Sequence, residues 1–173
     1  MTYQMSVMVK NLSSKQVALE NSVKLGLQLL GFRALFQSSP QDRIALIREG
    51  VQAKDFKLLA SRLGIVQERL CRMLAIAPAT VNRKAAQHQA LSREESEKVI
   101  GLAKLIGQVE TMLDQSGDPV LAQNFDAGKW LAGWINEPVP ALGGRAPSAY
   151  LDTIEGQELV SSLLAMMQTG AYA

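Results

Sequence analysis

Helix-breaking residues separate a series of short apolar segments, and this alternation constrains the fold of the chain most strongly. Gly50 and Gly64 each follow a segment in which apolar residues recur at intervals of three and four, as expected where glycine ends a helix. Pro40 and Pro78 stand where two other segments begin, and proline is well tolerated in the first turn of a helix. The sequence holds no pair of segments that predicts two paired strands, so we predict an all-α fold. The predicted short helices cover residues 40–49, 54–63, 66–74 and 78–86.

Two longer helices are predicted on either side of these segments. Ser92 and Glu95 have the spacing of a capping box, so a helix begins there and continues to about residue 114. Residues 14–37 predict a helix with two apolar rows, a wider face than a surface helix needs. This wide face indicates either deep burial or a dimer contact. The apolar stripe of the other long helix consists of Val99, Leu102, Ile106, Val109 and Leu113.

Two breaks divide the chain into three predicted parts. One is Ser38-Ser39-Pro40, and the other is Ser116-Gly117-Asp118-Pro119, where residues typical of turns cluster. Residues 1–38 are predicted to form an N-terminal arm and helix. Residues 39–115 form a domain of short helices with the long helix that follows, and residues 116–173 form a C-terminal module.

The C-terminal module predicts two helices joined by a loop. Asp126 is placed to cap a helix over 127–135, with Phe125 packing on Trp130. The segment 136–147 is dense in proline and glycine and predicts an irregular loop. Thr153 caps a last helix, which ends at Gly170 and leaves residues 171–173 as a short free end. The predicted core face of this helix consists of Leu159, Val160, Leu163, Leu164 and Met167.

Residue composition excludes several classes of protein. The chain has one histidine, His88, and one cysteine, Cys71, so a His/Cys metal site and an internal disulfide are excluded. We expect His88 to be a solvated loop residue and Cys71 a small core residue. No acid, base and nucleophile converge, so we expect no enzyme, no catalytic residue and no cofactor. A single cysteine makes a reducing cytosol the default, so we expect a cytoplasmic protein. No apolar run is long enough to span a membrane.

Charge is distributed unevenly along the chain. Residues 54–90 carry seven Lys/Arg and two Asp/Glu, a net charge of +5, whereas residues 91–173 carry a net charge of −6. A basic segment of this kind is typical of a surface that meets a polyanion. The asymmetry is also compatible with chance, so it points to nucleic acid only together with a motif.

That motif lies at residues 67–84, whose spacing suits two short helices packed at a steep angle. Leu70, Leu74, Ile76 and Val81 are the predicted shared core. The stretch resembles the Cro/Xre type of helix-turn-helix, in which the second helix lies in the major groove. The resemblance implies a DNA-facing set that consists of Gln67, Ala79, Thr80, Asn82, Arg83 and Lys84. Asn82 suits adenine, Arg83 suits guanine, and Gln67 meets the DNA backbone.

The turn of this motif departs from the usual pattern at two positions. Ala75 stands where glycine is common, and Ala77 stands where a serine-like cap is common. Pro78 partly compensates, because it presets the first helical turn. The alternative reading of the segment is a structural helical hairpin with an exposed polar face.

A longer pattern extends the resemblance over residues 39–173. The tail holds, in order, Trp130-Leu131, Leu142-Gly143-Gly144-Arg145-Ala146-Pro147, Thr153 with Gly156, and a Gly170-Ala171-Tyr172-Ala173 end. Together with the helix-turn-helix, these motifs resemble the Xre/MbcA/ParS antitoxins. The link from Gly117 to Phe125 is longer than the usual one in that family.

This resemblance implies a function and two partners. Antitoxins of this family bind a RES-domain toxin, an enzyme that consumes or transfers from NAD, and they repress their own promoter by binding operator DNA. The implied toxin-binding residues are Trp134, Leu142, Gly143, Gly144, Arg145, Tyr172 and Ala173. Tyr172 beside the terminal carboxylate carries the ring and the charge that an NAD pocket accommodates.

Two questions stay open at the level of sequence. The chain is alternatively a free-standing helix-turn-helix regulator whose C-terminal module only dimerises. We also expect a homodimer that presents two DNA-reading helices to a pseudo-palindromic operator. Its contact is formed either by residues 23–36 or by the long helix 92–114, and the sequence does not choose between them.

Overall fold

The computed structural model describes residues 31–116 and 124–170, and these residues form an all-α fold. The eight helices of this part of the chain are α1 (Phe32–Gln37), α2 (Pro40–Glu49), α3 (Ala53–Leu63), α4 (Gln67–Met73), α5 (Pro78–Ala86), α6 (Arg93–Gln115), α7 (Ala127–Trp134) and α8 (Ile154–Thr169). Within the described ranges, β structure is limited to two isolated bridges, Gln52 with Ala90 and Val139 with Arg145. The predicted fold class is confirmed.

The caps predicted at Ser92, Asp126 and Thr153 form, and Ser39 provides a further cap that was not predicted. Ser39 and Asp42 make a reciprocal capping box at the start of α2, and Ser92 and Glu95 make another at the start of α6. Thr153 accepts a hydrogen bond from the backbone N–H of Gly156 at the start of α8. Each cap satisfies amide groups that a helix end leaves without partners, which explains why the predicted helix starts hold to within a residue.

The predicted helix over 14–37 ends at Gln37 as expected, but its continuity through Gly31 is wrong. Gly31 has a φ of 74° and a ψ of 146°, and α1 begins only at Phe32. This positive φ interrupts the helical backbone, so the apolar rows of the sequence do not continue through Gly31 on one helix. Residues 1–30, including the predicted dimer contact at 23–30, lie outside the described residues.

Helix α6 is the central element of the fold. The other long helix, α8, packs on it, as do α1, α2 and α7. One apolar cluster runs from Phe32 through the short helices and α6 to Leu164 on α8. The N-terminal helical domain and the C-terminal helical domain therefore share a core. The predicted boundary at residue 38 stays a prediction, although α1 packs directly on α6.

Two glycines allow the closest helix contacts. Gly107 on α6 lies against the carbonyl of Phe32, and Gly128 on α7 lies against the carbonyl of Arg62 at the end of α3. A Cβ atom at either position would collide with backbone atoms, which cannot move as the end of a side chain can. These glycines therefore set the distance at which α1 crosses α6 and α7 crosses α3.

Buried polar side chains join α6 to α8. The Gln108 amide donates to the Ser161 carbonyl at 2.9 Å, and the Ser161 hydroxyl donates to Gln108 Oε1 at 2.7 Å. Gln157 donates through Nε2 to the carbonyls of Lys98 and Leu151, at 3.0 and 2.9 Å. Because buried polar groups are costly when unpaired, these bonds specify the register of the two helices.

The predicted core face of α8 needs one correction. Val160, Leu163 and Leu164 are buried, but Leu159 is 40% exposed. Leu159 precedes Val160 and therefore lies about 100° around the helix from it. The loop over 136–147 is also more ordered than predicted, since Pro140–Leu142 and Pro147–Tyr150 form 3-10 turns.

Candidate functional site

The turn between α4 and α5 has the geometry of a helix-turn-helix. All four predicted core residues, Leu70, Leu74, Ile76 and Val81, are 5% exposed or less. Ala75 has a φ of 49°, so the left-handed conformation for which glycine is common at this position is adopted by an alanine. Ala77 provides no side-chain cap, and Pro78 occupies the first turn of α5.

Cys71 lies inside this motif and is 1% exposed, which confirms its predicted place in the core. Burial, with a smaller contribution from Glu68, raises the pKa of its thiol. The thiolate is therefore disfavoured, and Cys71 acts as a small packing residue. His88 is exposed in the turn after α5, as predicted.

Helix α5 exposes most of the residues predicted to face DNA. Ala79, Asn82 and Arg83 are exposed and Thr80 is half-buried, while Val81 between them is buried. The Arg83 guanidinium donates to Gln87 Oε1 at 3.3 Å. The exposed residues therefore form one polar face on the first two turns of α5, opposite the face that packs in the core.

Gln67 connects α4 to this face. Its Nε2 atom donates to Asn82 Oδ1 at 3.0 Å across the angle between the two helices. The bond defines the rotation of the Asn82 amide and leaves its N–H groups directed to other acceptors. The structure thus brings together Gln67 and Asn82, which are separated by 15 positions in sequence.

Lys84 lies apart from the exposed face. Its Nζ atom donates to Glu95 Oε2 at 2.9 Å, and its side chain is only 15% exposed. Burial raises the pKa of Glu95, but hydrogen bonds from Lys84 and Ser92 and the charge of Lys84 outweigh it and leave the pKa below its ordinary value. Lys84 therefore joins α5 to the start of α6.

Helix α4 exposes two arginines that do not belong to the predicted DNA-facing set. Arg69 and Arg72 are solvent-accessible, whereas Leu70 and Cys71 between them are buried. Both belong to the basic segment 54–90. Helical spacing in the sequence identifies the two arginines as surface residues, because their positions lie outside the buried face of α4.

The loop after α7 holds the central part of the predicted toxin-binding set. Gly143 and Gly144 are exposed with φ values of 63° and 78°, and Arg145 is exposed beside them. Backbone bonds close the loop, with Val139 N–H donating to the Arg145 carbonyl at 3.1 Å. Among the described residues, the Arg145 guanidinium makes no hydrogen bond or ion pair, so it does not tie its own loop.

Leu142 and Trp134 lie deeper than these exposed residues. Leu142 is 9% exposed and forms a small apolar cluster with Val139 and Leu163. Trp134 is half-buried and packs against this cluster, and its ring stacks on Trp130 at 6.0 Å between centroids with 4° between planes. Phe125 packs on Trp130 at 5.9 Å, as predicted. The structure therefore places Leu142 in this apolar cluster, whereas Gly143 and Arg145 beside it are exposed.

The other sequence predictions concern residues 172 and 173, metal ligands and membrane-spanning helices. Tyr172 and Ala173 lie outside the described residues. No group of three or more metal-ligating side chains comes together in residues 31–116 and 124–170. None of the helices in those ranges has the length and apolar character needed to cross a membrane.

Fold and site together define a helix-turn-helix protein with a second helical domain. A family model described as the antitoxin Xre-like helix-turn-helix domain matches residues 42–104, and one described as the antitoxin Xre/MbcA/ParS C-terminal toxin-binding domain matches residues 121–170. A curated relative, the Prs ADP-ribosylating antitoxin of Sphingobium sp. (strain YBL2), is 48% identical over 142 residues, which are 82% of this chain and 87% of the relative. The chain belongs to the Xre/MbcA/ParS family of antitoxins.

Proposed function

We propose that this antitoxin inhibits a RES-domain toxin through its C-terminal domain and represses its own promoter through its helix-turn-helix. The proposed toxin consumes NAD or transfers ADP-ribose from it, and the name of the Sphingobium relative, which refers to ADP-ribosylation, supports this class of chemistry. The proposed setting is the cytoplasm, where operator DNA and NAD are both available. The exposed loop at Gly143, Gly144 and Arg145, in a domain matched as toxin-binding, carries the proposal.

The polar face of α5 supports DNA readout. An asparagine amide can pair with the N6 and N7 positions of adenine, and an arginine guanidinium can pair with O6 and N7 of guanine. Asn82 and Arg83 are both exposed on α5, and Gln67 holds the amide of Asn82 at 3.0 Å. We assign base contacts to Asn82 and Arg83 and backbone contacts to Gln67 and Thr80. Lys84, which pairs with Glu95, serves as a link between helices.

A substitution on this face tests the DNA assignment. Arg83→Ala removes the proposed guanine contact, so we expect operator affinity to fall by about 1–3 kcal/mol and base preference to relax at one position. A gel-shift titration against operator variants measures both effects.

Arg145→Ala is the matched control for this experiment. It removes an exposed arginine from the other domain, so we expect it to weaken toxin capture and leave operator affinity unchanged. We expect Arg83→Ala to show the reverse pattern. Unchanged operator binding by Arg83→Ala contradicts the assigned DNA-reading helix.

For the toxin, we propose inhibition by occupation of the NAD site. The segment that follows α8 after Gly170 carries one aromatic ring, at Tyr172. An NAD site needs a pocket for a planar ring and cationic groups for pyrophosphate. Tyr172 and Ala173 thus supply the blocking groups, while Trp134 and the Gly143–Arg145 loop supply contact area.

Deletion of residues 171–173 tests this mechanism. We expect the truncated antitoxin to retain a measurable complex with the toxin, because the contacts of the loop remain, and to lose inhibition of NAD consumption. Pull-down and an NAD assay on the same complex separate the two effects. If the truncated chain binds and inhibits like the full chain, inhibition comes from the loop or from steric blockade by the whole domain. A chain that captures no toxin at all is instead a free-standing regulator.

A further inference from the structure

A groove of the size of a small-molecule site lies between three helices. Its volume is about 470 Å³, which is within the range of ligand pockets. One face of each helix lines it, with Ile44 and Ile47 from α2, Gly101 from α6 and Gln157 from α8. Because α2 belongs to the helix-turn-helix domain and α8 to the toxin-binding domain, a ligand in this groove contacts both domains.

Gln157 provides a buried hydrogen-bond acceptor that has no donor. The residue is 4% exposed, and its Nε2 atom donates to the carbonyls of Lys98 and Leu151. Its Oε1 atom accepts no hydrogen bond from any described residue. By contrast, Gln108, the other buried glutamine between α6 and α8, is paired through both its amide and its oxygen. A ligand N–H group that reaches Gln157 Oε1 therefore satisfies an acceptor that folding has already desolvated.

Gly101 gives this oxygen its place beside α6. A Cβ atom at position 101 would collide with Gln157 Oε1. Since both residues line the groove, the unpaired oxygen lies at its floor. Lys104, which also lines the groove, follows Gly101 by three positions, or about 4.5 Å along the helix axis. The free acceptor and a cation are therefore less than one helical turn apart.

Two cations form one end of the groove. Neither Lys104 nor Arg43 makes an ion pair within 4.0 Å in residues 31–116 and 124–170. Arg43 donates through Nη1 to the carbonyls of Phe36 and Ser38. Burial, and then the charge of Arg43, lowers the pKa of Lys104, with Glu158 acting in the opposite direction. A carboxylate bound between Lys104 and Arg43 would neutralise a half-buried charge and relieve the repulsion between the two cations.

Carboxylates in the same groove restrict the kind of anion that fits. Glu97 and Glu158 line it together with the two cations, so the formal charge of the lining is zero. A phosphate or a dicarboxylate would oppose the two glutamates, because like charges at close range are unfavourable. A zwitterion, which carries one charge of each sign, is complementary to this lining.

We propose that the groove binds a small α-amino acid with an apolar side chain. The carboxylate pairs with Lys104 and Arg43, and the α-ammonium group donates to Gln157 Oε1. Glu158, whose charge acts on Lys104, supplies the negative potential for that ammonium group. The apolar side chain contacts the isoleucines of α2. Binding therefore connects α2 to α8, and it is independent of the proposed function because neither toxin nor DNA takes part.

An NMR titration of the full ¹⁵N-labelled chain with L-leucine tests the proposal. We expect the backbone amide signals of Ile44 and Gly101 to shift in the millimolar range of ligand. Two analogues serve as controls: 4-methylpentanoate lacks the amino group, and 3-methylbutylamine lacks the carboxylate. Each loses one charge-assisted contact, so we expect each to bind at least about tenfold more weakly than L-leucine.

Lys104→Met tests the cationic end. The substitution keeps an unbranched side chain and removes a half-buried charge, so we expect a folded protein whose dissociation constant for L-leucine rises at least about tenfold. Lys98→Met is the matched control on the same helix, because Lys98 pairs with Glu94 and is not among the described residues that line the groove. We expect its dissociation constant to stay within about twofold of the wild-type value.

Thermal unfolding followed by circular dichroism gives a second readout. We expect L-leucine to raise the melting temperature of the wild-type chain and of Lys98→Met, but not that of Lys104→Met. A wild-type chain that does not bind L-leucine, or a Lys104→Met chain that binds it equally well, overturns the proposal. Equal binding of 4-methylpentanoate overturns the assignment to an amino acid, and this arm needs no variant. All of these outcomes leave the assays of toxin inhibition and operator binding unaffected.

Discussion

At the scale of single residues, Ala75 is in an unfavourable backbone conformation. Its φ of 49° lies in the left-handed region, where a Cβ atom crowds the backbone. The turn is nevertheless closed by well-formed bonds, with Ile76 N–H donating to the Cys71 carbonyl at 2.9 Å. The surrounding core of Leu74 and Ile76 holds the turn in this conformation. The helix-turn-helix therefore forms without the glycine that is common at this position.

We expect Ala75→Gly to stabilise the protein by about 0.5–1 kcal/mol. The left-handed penalty of about 1–2 kcal/mol is removed, and the greater freedom of glycine in the unfolded chain offsets part of the gain. Chemical denaturation measures the free energy of unfolding. Ala45→Gly, an exposed position inside α2, is the control and should destabilise by about 1 kcal/mol. A less stable Ala75→Gly chain would contradict the assigned strain.

At the scale of elements, one carboxylate joins α5, the second helix of the helix-turn-helix, to the central helix α6. Glu95 accepts from the Ser92 backbone N–H at 2.7 Å and from Lys84 Nζ at 2.9 Å. The first bond closes the capping box of α6, and the second ties α5 to it. Because α8 also packs on α6, the position of α5 is linked through α6 to the C-terminal domain.

We expect Glu95→Gln to destabilise the protein by about 1 kcal/mol at pH 7, because it removes the charge that faces Lys84 while keeping a capping oxygen. The pKa of Glu95 is lowered in the folded protein, so its contribution is fully present above the ordinary glutamate pKa of about 4.3. That contribution is lost as the pH falls through the lower folded value. The difference between variant and wild type should therefore shrink below pH of about 4.

Urea unfolding across this pH range measures the effect, with Glu94→Gln as the control. Glu94 pairs with Lys98 at 3.5 Å, but its side chain is 83% exposed. We expect its loss to change the unfolding free energy by no more than about 0.5 kcal/mol. Equal effects of the two substitutions would show that the link between α5 and α6 adds nothing to stability.

At the scale of the whole molecule, the two domains are packed into one body. Leu131 on α7 and Val160 on α8 are fully buried in the same cluster as Phe56 and Leu59 of α3. Gly128 brings α7 against the end of α3, beside the helix-turn-helix. Under the proposed function, a toxin held by the C-terminal domain is therefore attached to a domain that shares its apolar core with the helix-turn-helix. This arrangement suits an antitoxin whose DNA and toxin surfaces act together.

The sequence by itself determined the helices after residue 38 and the family. Caps at Ser92, Asp126 and Thr153 and breaks at Gly50 and Gly64 act over one or two turns of helix, and local signals of this kind are readable without tertiary context. The core of the helix-turn-helix was also predictable, because helical spacing alone selects Leu70, Leu74 and Val81. The tail motifs identified the family for the same reason, since they are continuous in sequence.

Only the tertiary structure decided which predicted site residues are paired or buried within the chain. Lys84 is a residue of the type that often contacts DNA, but it pairs with Glu95, which lies 11 positions away in sequence. Leu142 belongs to the loop that was predicted to contact the toxin, but it is buried against Val139 and Leu163. The bond between Gln67 and Asn82 likewise joins residues far apart in sequence. Burial and pairing between distant segments follow from how helices pack on α6, and periodicity within one segment carries no information about its partner.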